Sequence, residues 1–309
     1  MMRLATRLGW AWFLAAALIG NADTASAQQR PGTPASAWTA VDQALGRAGA
    51  LQPGEVMKYS FPRGDLHVTV DGVPLRPALA LGSWVAFRKM DAANAMVMGD
   101  LVLSEDEVGP VMRALQQGGV EQTALHNHLL HESPRVMYMH VFAQGNAARV
   151  AEAIHTALAT TATPLGAPAA PAPAPALALD TAAVARALGA AGKANGGVLQ
   201  FSVPRRETIR AGTMEIPPAM GVATSINFQP TGSGRAAVTG DFVMRGGEVN
   251  KVIRALQQGG ISVTALHSHM LDETPRLFFM HFWGNSDAIA LARTLRAALD
   301  QTQSKLAAR

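Results

Sequence analysis

Apolar and polar positions follow two rhythms along this chain, and each change of rhythm marks an element. The mostly apolar run Val97 to Leu103 predicts a strand, after which Val108, Val111, Met112 and Leu115 fall at the i, i+3, i+4, i+7 spacing of a helix. Gly118-Gly119 stops that helix. A strand running to Leu130 is expected next, then a turn at Ser133-Pro134 and a second strand from Val136 to Phe142. Asn146 is suited to cap a last helix carrying Val150, Ile154 and Leu158 on its apolar stripe. Upstream, a short helix over 42–48 precedes strands at 56–61, 66–70 and 82–87, separated by Gly and Pro.

The same rhythm recurs later. Thr181 to Ala191 reads as a helix, 198–203 and 222–228 as strands, and Val249, Val252, Ile253 and Leu256 repeat the helical spacing before Gly259-Gly260. Asp287 is the matching cap, with Leu291, Leu295 and Leu299 behind it. Between Gly99 and Phe142, 24 of 44 residues equal their partners between Gly240 and Trp283, so one unit is written twice. An Ala/Pro stretch over 161–179 separates the copies and has the composition of a semi-rigid linker. The expected domains are therefore 38–160 and 180–303, each an α+β, ferredoxin-like sandwich with helices on one face of an antiparallel sheet. Two copies of one fold often pack as an intramolecular pseudo-dimer, a point the sequence leaves open.

The candidate chemistry lies inside the repeat. Seven of the nine histidines fall in Ala124–His140 and Ala265–His281. Side chains alternate across a strand, so His126 and His128 share a face opposite Leu125 and Leu129, and His140 joins them if Met137, Met139 and Val141 face the helices. That reading puts His128 across the hairpin from His140, with Glu132 folding back from the turn as a fourth ligand. The second copy offers His267, His269, His281 and Glu273. Three imidazoles and a carboxylate suit a divalent transition metal, zinc or copper first. His131 becomes Asp272 and is a weaker candidate, for orienting a ligand; Arg135 and Arg276 are placed to hold the two glutamates or to bind an anion. Against all this stands the plain reading of half-buried, hydrogen-bonded histidines, which duplication copies just as faithfully.

Composition narrows the function. With no cysteine there is no disulfide, no thiolate ligand and no lipid-anchored N-terminus, so any metal sits on nitrogen and oxygen. The net charge is only +4, without a clustered Lys/Arg face, which argues against nucleic acid. Arg3, Arg7, the apolar run Trp10 to Ile19 and Ala25-Ser26-Ala27 read as a signal peptide over 1–27, placing the mature protein in the periplasm or outside the cell, with no membrane anchor.

H-x-H-x3-E is similar to the first metal motif of cupins, but a helix precedes it here and the second cupin motif is missing. The stretches Y-S-F-P-R at Tyr59, V-D-G-V-P-L at Val70, L-A-L-G-S-W-V-A-F at Leu79, M-G-D-L-V-L at Met98 and the block from Ala124 resemble the LppY/LpqO family, and P-P-A-M-G-V-A-T-S-I-N-F at Pro217 resembles its second copy. That resemblance implies an exported bacterial protein with a tandem domain, and no established activity. Three functions stay open: a metal-binding protein, a metal-dependent hydrolase using Glu132 or Glu273 as general base, and a metal-free binder of a small anion.

Overall fold

The computed structural model describes residues 35–166 and 177–306. The expected signal peptide and residues 167–176 of the expected linker lie outside the described residues.

In the first copy, α1 (Thr39–Leu45) is followed by β1 (Ala50–Gln52), β2 (Val56–Pro62), β3 (Thr69–Val70), β4 (Val73–Pro74), α2 (Pro77–Ala80), β5 (Gly82–Lys89) and β6 (Asn94–Ser104). The part the pattern reads best comes next: α3 (Glu105–Gln117), β7 (Glu121–His126), β8 (Glu132–Ser133), β9 (Val136–Asn146) and α4 (Ala147–Leu158). The second copy repeats this with α5 (Thr181–Leu188), β10 (Gly192–Asn195), β11 (Val198–Pro204), β12 (Arg210–Ala211), β13 (Met214–Glu215), β14 (Ala223–Gly232), β15 (Arg235–Met244), α6 (Gly246–Gln258), β16 (Ser262–His267), β17 (Glu273–Thr274), β18 (Phe278–Asp287) and α7 (Ala288–Leu299). A short 3-10 turn, Pro218–Met220, stands where the first copy has α2.

Each copy is α+β, built on a six-stranded antiparallel sheet in the order β1-β2-β5-β6-β9-β7, or β10-β11-β14-β15-β18-β16. The β-α-β-β-α-β order expected of a ferredoxin-like unit is not the order found, since among the described residues no strand of the same sheet follows α4 or α7. Helices cover one face. Leu45, Val111, Leu115, Ile154 and Leu158 pack there against Val97, Leu101, Met139 and Val141. Asn146 and Asp287 cap their helices, accepting from the backbone N–H groups of Arg149 and Ala290.

The helix starts carry a second device. Arg63 is wholly buried, and its guanidinium meets Asp65, Glu107 and the Val102 carbonyl. Glu107 also accepts from Ser104 N–H, so one carboxylate caps α3 and neutralises the buried cation. Arg205, Glu207 and Glu248 repeat the arrangement.

Both copies lie in one compact unit, because the faces opposite the helices cover each other. Met96, Met98, Ala86 and Val56 pack with Ile216, Met220, Val243 and Phe279, while Val70, Leu79, Val102 and Tyr138 pack with Val198, Ala237 and Trp283. The β3–α2 excursion is pinned to the opposite copy by polar contacts. Gln229 accepts from Arg76 N–H and donates to the Pro74 carbonyl, both at 2.8 Å. In the reciprocal place Arg88 donates to the Glu215 carbonyl beside Pro217, which has no N–H to offer. Central strand β6 is consequently buried from Ala95 to Leu103 on both faces.

Two local expectations change. The strand read as running to Leu130 ends at His126, and Asn127 Nδ2 then donates to the Leu129 carbonyl. Leu125 and Leu266 are not under the helices: they are 41% and 50% exposed, because β7 and β16 are edge strands. The flanks of the Ala/Pro segment fold onto their own copies. Leu165 packs on the first core, Pro164 and Gly166 accept from Arg47, and Leu177 and Leu179 join the second core.

Candidate metal centre

Each sheet carries one carboxylate in the middle of its buried central strand. Asp100 lies directly across from His140 in the β6–β9 pairing, and Asp241 across from His281 in β15–β18. Residues opposite each other share a face, so both pairs point away from the helices and toward the other copy. In the next row of the hairpin His126 pairs with Tyr138, and Ala124, not His128, pairs with His140. A register shift between Gln122 and Ala124 sets this offset, and His128 reaches the same face from beyond the strand end, stacked on the Tyr138 ring.

Facing copies merge the two expected clusters into one. Ring centroids of His126 and His267 are 3.7 Å apart, those of His128 and His281 3.6 Å, and those of His140 and His269 3.7 Å. Thr123 Oγ1 donates to the His269 carbonyl and Thr264 Oγ1 to the His128 carbonyl, at 2.6 and 2.5 Å, which fixes each histidine loop against the partner copy's edge strand. Among the described residues, four overlapping groups of donors lie within 4.8 Å: His126, His140, His267 and His269; Asp241, His267, His269 and His281; His126, His128 and His281; and Asp100, His128 and His140.

Several rings have one nitrogen occupied and the other free. His281 Nδ1 is 2.9 Å from the Gly240 carbonyl, and a carbonyl only accepts, so Nδ1 carries the proton and Nε2 holds a lone pair. His140 and His269 bond backbone at Gly99 and Gly221 in the same way, and His126 Nδ1 lies 3.2 Å from the Asn127 carbonyl. The Nε2 atoms of all six histidines are buried without a hydrogen-bond partner, as are Asp100 Oδ1 and Asp241 Oδ1. Buried polar atoms normally find partners, so a set of eight facing one another is the chemistry of a cation site.

Electrostatics agree with that. Burial lowers His126 to about 4, and burial reinforced by neighbouring rings pushes His128, His140, His267 and His269 well below the ordinary imidazole value. His281 is lowered by burial against the pull of Asp241. The rings are therefore neutral near pH 7, the form in which an imidazole can hold a metal. Burial raises Asp100 to about 8, helped by the Asp241 charge and opposed by Lys58, and raises Asp241 to about 6. Lys58 on one side and His281 on the other only partly offset the burial of these carboxylates, and a bound cation would favour their ionised forms further.

Glu132 and Glu273 stand elsewhere, in none of the donor groups. Each reaches across its own turn: Glu132 Oε1 accepts from Val136 N–H at 3.1 Å and Glu273 Oε1 from Leu277 N–H at 2.7 Å. Arg276 holds Glu273 as anticipated, but Arg135 lies out beside Glu105. His131 and Asp272 are exposed and outside the groups. The sequence reading passed over Asp100 and Asp241, although a lone carboxylate inside an apolar strand, repeated in both copies, was the available signal.

Among solved structures the chain is similar to a trimeric bacterial microcompartment shell protein, PduB, at 14% identity and a TM-score of 0.21, covering 84% of this chain and 95% of that one. It is likewise similar to EtuB from Clostridium kluyveri, at 9% identity and a TM-score of 0.19 with the same coverage. Scores this low carry no argument about either fold or function. No curated protein matches the chain. A family model described as Domain of Unknown Function (DUF1259) matches twice, over 39–160 and 182–301, and because those matches take in most of the sequence the chain belongs to that family, as a tandem pair.

Proposed function

We propose that this is an exported protein that holds a divalent transition metal, zinc or copper, in one centre built jointly by its two copies. The observation that carries this is the set of six inward Nε2 atoms and two carboxylate oxygens, all buried and all without partners. Nitrogen and oxygen donors of this kind suit zinc and copper above magnesium or calcium. Export rests on the signal-like residues 1–27 and on the resemblance to the LppY/LpqO family, and no described helix is long and apolar enough to cross a membrane. Elemental analysis of protein purified from the periplasm without an affinity tag tests both halves of the proposal. Stoichiometric zinc or copper, lost in a His140→Ala, His281→Ala variant, is expected; metal-free protein that takes up neither ion at micromolar concentration would overturn it.

One observation favours catalysis as a second reading. Glu132 Oε2 is buried without a partner and burial raises this carboxyl to about 7, the range of a general base. The anion reading is weaker in the second copy, since Arg276 is committed to Glu273 and to the Met270 and Leu271 carbonyls.

A further inference from the structure

We infer that the centre takes two divalent ions side by side, one in each repeat's own Asp-His set; this rests on the metal reading above. Eight donors are too many for one ion, since zinc or copper in protein takes four to six ligands at the most. No donor group within 4.8 Å holds more than four of them. Two of the groups share no member: Asp100, His128 and His140 on one side, and Asp241, His267, His269 and His281 on the other. The second is the first shifted by 141 residues, with His267 added. His126 is the counterpart of His267, and its ring lies 5.1 Å from both His128 and His140, against 4.8 Å from His267 to both His269 and His281. Completing the first set with His126 uses each of the six Nε2 atoms and both aspartate oxygens once, as three imidazoles and one carboxylate per ion.

A single ion would leave the account incomplete. Seated among His126, His140, His267 and His269 it would strand the Nε2 atoms of His128 and His281 and both aspartate oxygens, all buried. The two sets are also in contact, ring against ring, at the three cross-copy pairs. Two paramagnetic ions so placed are neighbours and sense each other.

The test is a copper(II) titration of metal-stripped, full-length protein, read by elemental analysis and by electron paramagnetic resonance. Two ions per chain are expected, with the resonance of the fully loaded form integrating to well under two spins because the coppers couple. Asp100→Asn and Asp241→Asn, each close to isosteric, should cut the count to one and restore a full single-copper signal, with circular dichroism confirming the fold. One ion per chain, or two with two full spins, would overturn the paired centre and leave the metal reading standing. No bound copper or zinc would overturn the metal reading itself.

Discussion

Glu132 and Glu273 show how much a spacing argument leaves to the fold. Both sit three residues before an arginine and close to the histidines, and spacing alone makes them ligands; the fold instead turns each onto the backbone N–H four residues on. Glu132→Gln should therefore leave metal content unchanged. Glu273→Gln should also keep its metal but lower stability by about 1–2 kcal/mol, as its charged bonds to Leu277 N–H and Arg276 weaken. Denaturant melts beside elemental analysis check both, and loss of metal in either variant would return the glutamates to the centre. Asp100 makes the opposite case. Strand β6 read as plain apolar core because a buried strand in one copy and a ligand-bearing strand in a pair of copies have the same pattern. The groups that share its face, His128 and His140, stand 28 and 40 residues further along the chain.

At the level of elements, sequence periodicity was a good guide wherever one face decides the pattern. Helices α3, α4, α6 and α7 are where the apolar spacing placed them, since each has one core face and one wet face. It failed at β7, where strand and loop have similar composition and a register shift resets the alternation. The helix starts hold more than a cap. Arg63→Met would leave Asp65 and Glu107 facing a buried apolar group, so a loss of roughly 3–5 kcal/mol is expected, with Arg205→Met alike. Asn146→Ala, which removes only a cap, should cost about 1 kcal/mol. Equal losses in equilibrium unfolding would mean that the buried arginines are no more than surface pairs.

For the whole molecule, the histidine centre makes stability depend on pH. In the metal-free protein six folded imidazoles stay neutral, whereas unfolded imidazole takes a proton below its ordinary value of 6.5. The unfolded chain thus binds more protons as pH falls from 6.5 toward 4, and stability is lost through that window. Asp100, Asp241 and Glu132 work the other way, holding protons when folded that they release when unfolded, but three acids do not outweigh six imidazoles. Above 6.5 the acids dominate, so stability declines gently toward about 8, where Asp100 titrates and buried Lys58, itself lowered to about 8, begins to act against them. A maximum in the melting temperature of stripped protein near pH 6.5 is expected; a flat profile from 4.5 to 6.5 would refute it. That the copies face each other was not legible, because nothing in a strand's pattern says whether its second covered face meets a helix or another chain segment.

Gln229 and Arg88 give that interface a sense of self and other. Gln229 offers a donor and an acceptor to match the Pro74 carbonyl and the Arg76 N–H, while Arg88 offers donors alone to a site where Pro217 has nothing to give. Two first copies placed together would set Arg88 against an N–H and leave it unanswered; two second copies would leave the Gln229 carbonyl idle. Trp283 on Asp71 is asymmetric in the same sense, with Phe142 and Gly212 at the corresponding positions. Each mismatch costs about 1 kcal/mol or more and occurs twice per like pair, so unlike halves should recover each other at least tenfold over like ones when co-expressed with different tags. Divergence after the duplication has in this way favoured the pair over its own repeats: each half carries contacts that the other half answers and a copy of itself does not.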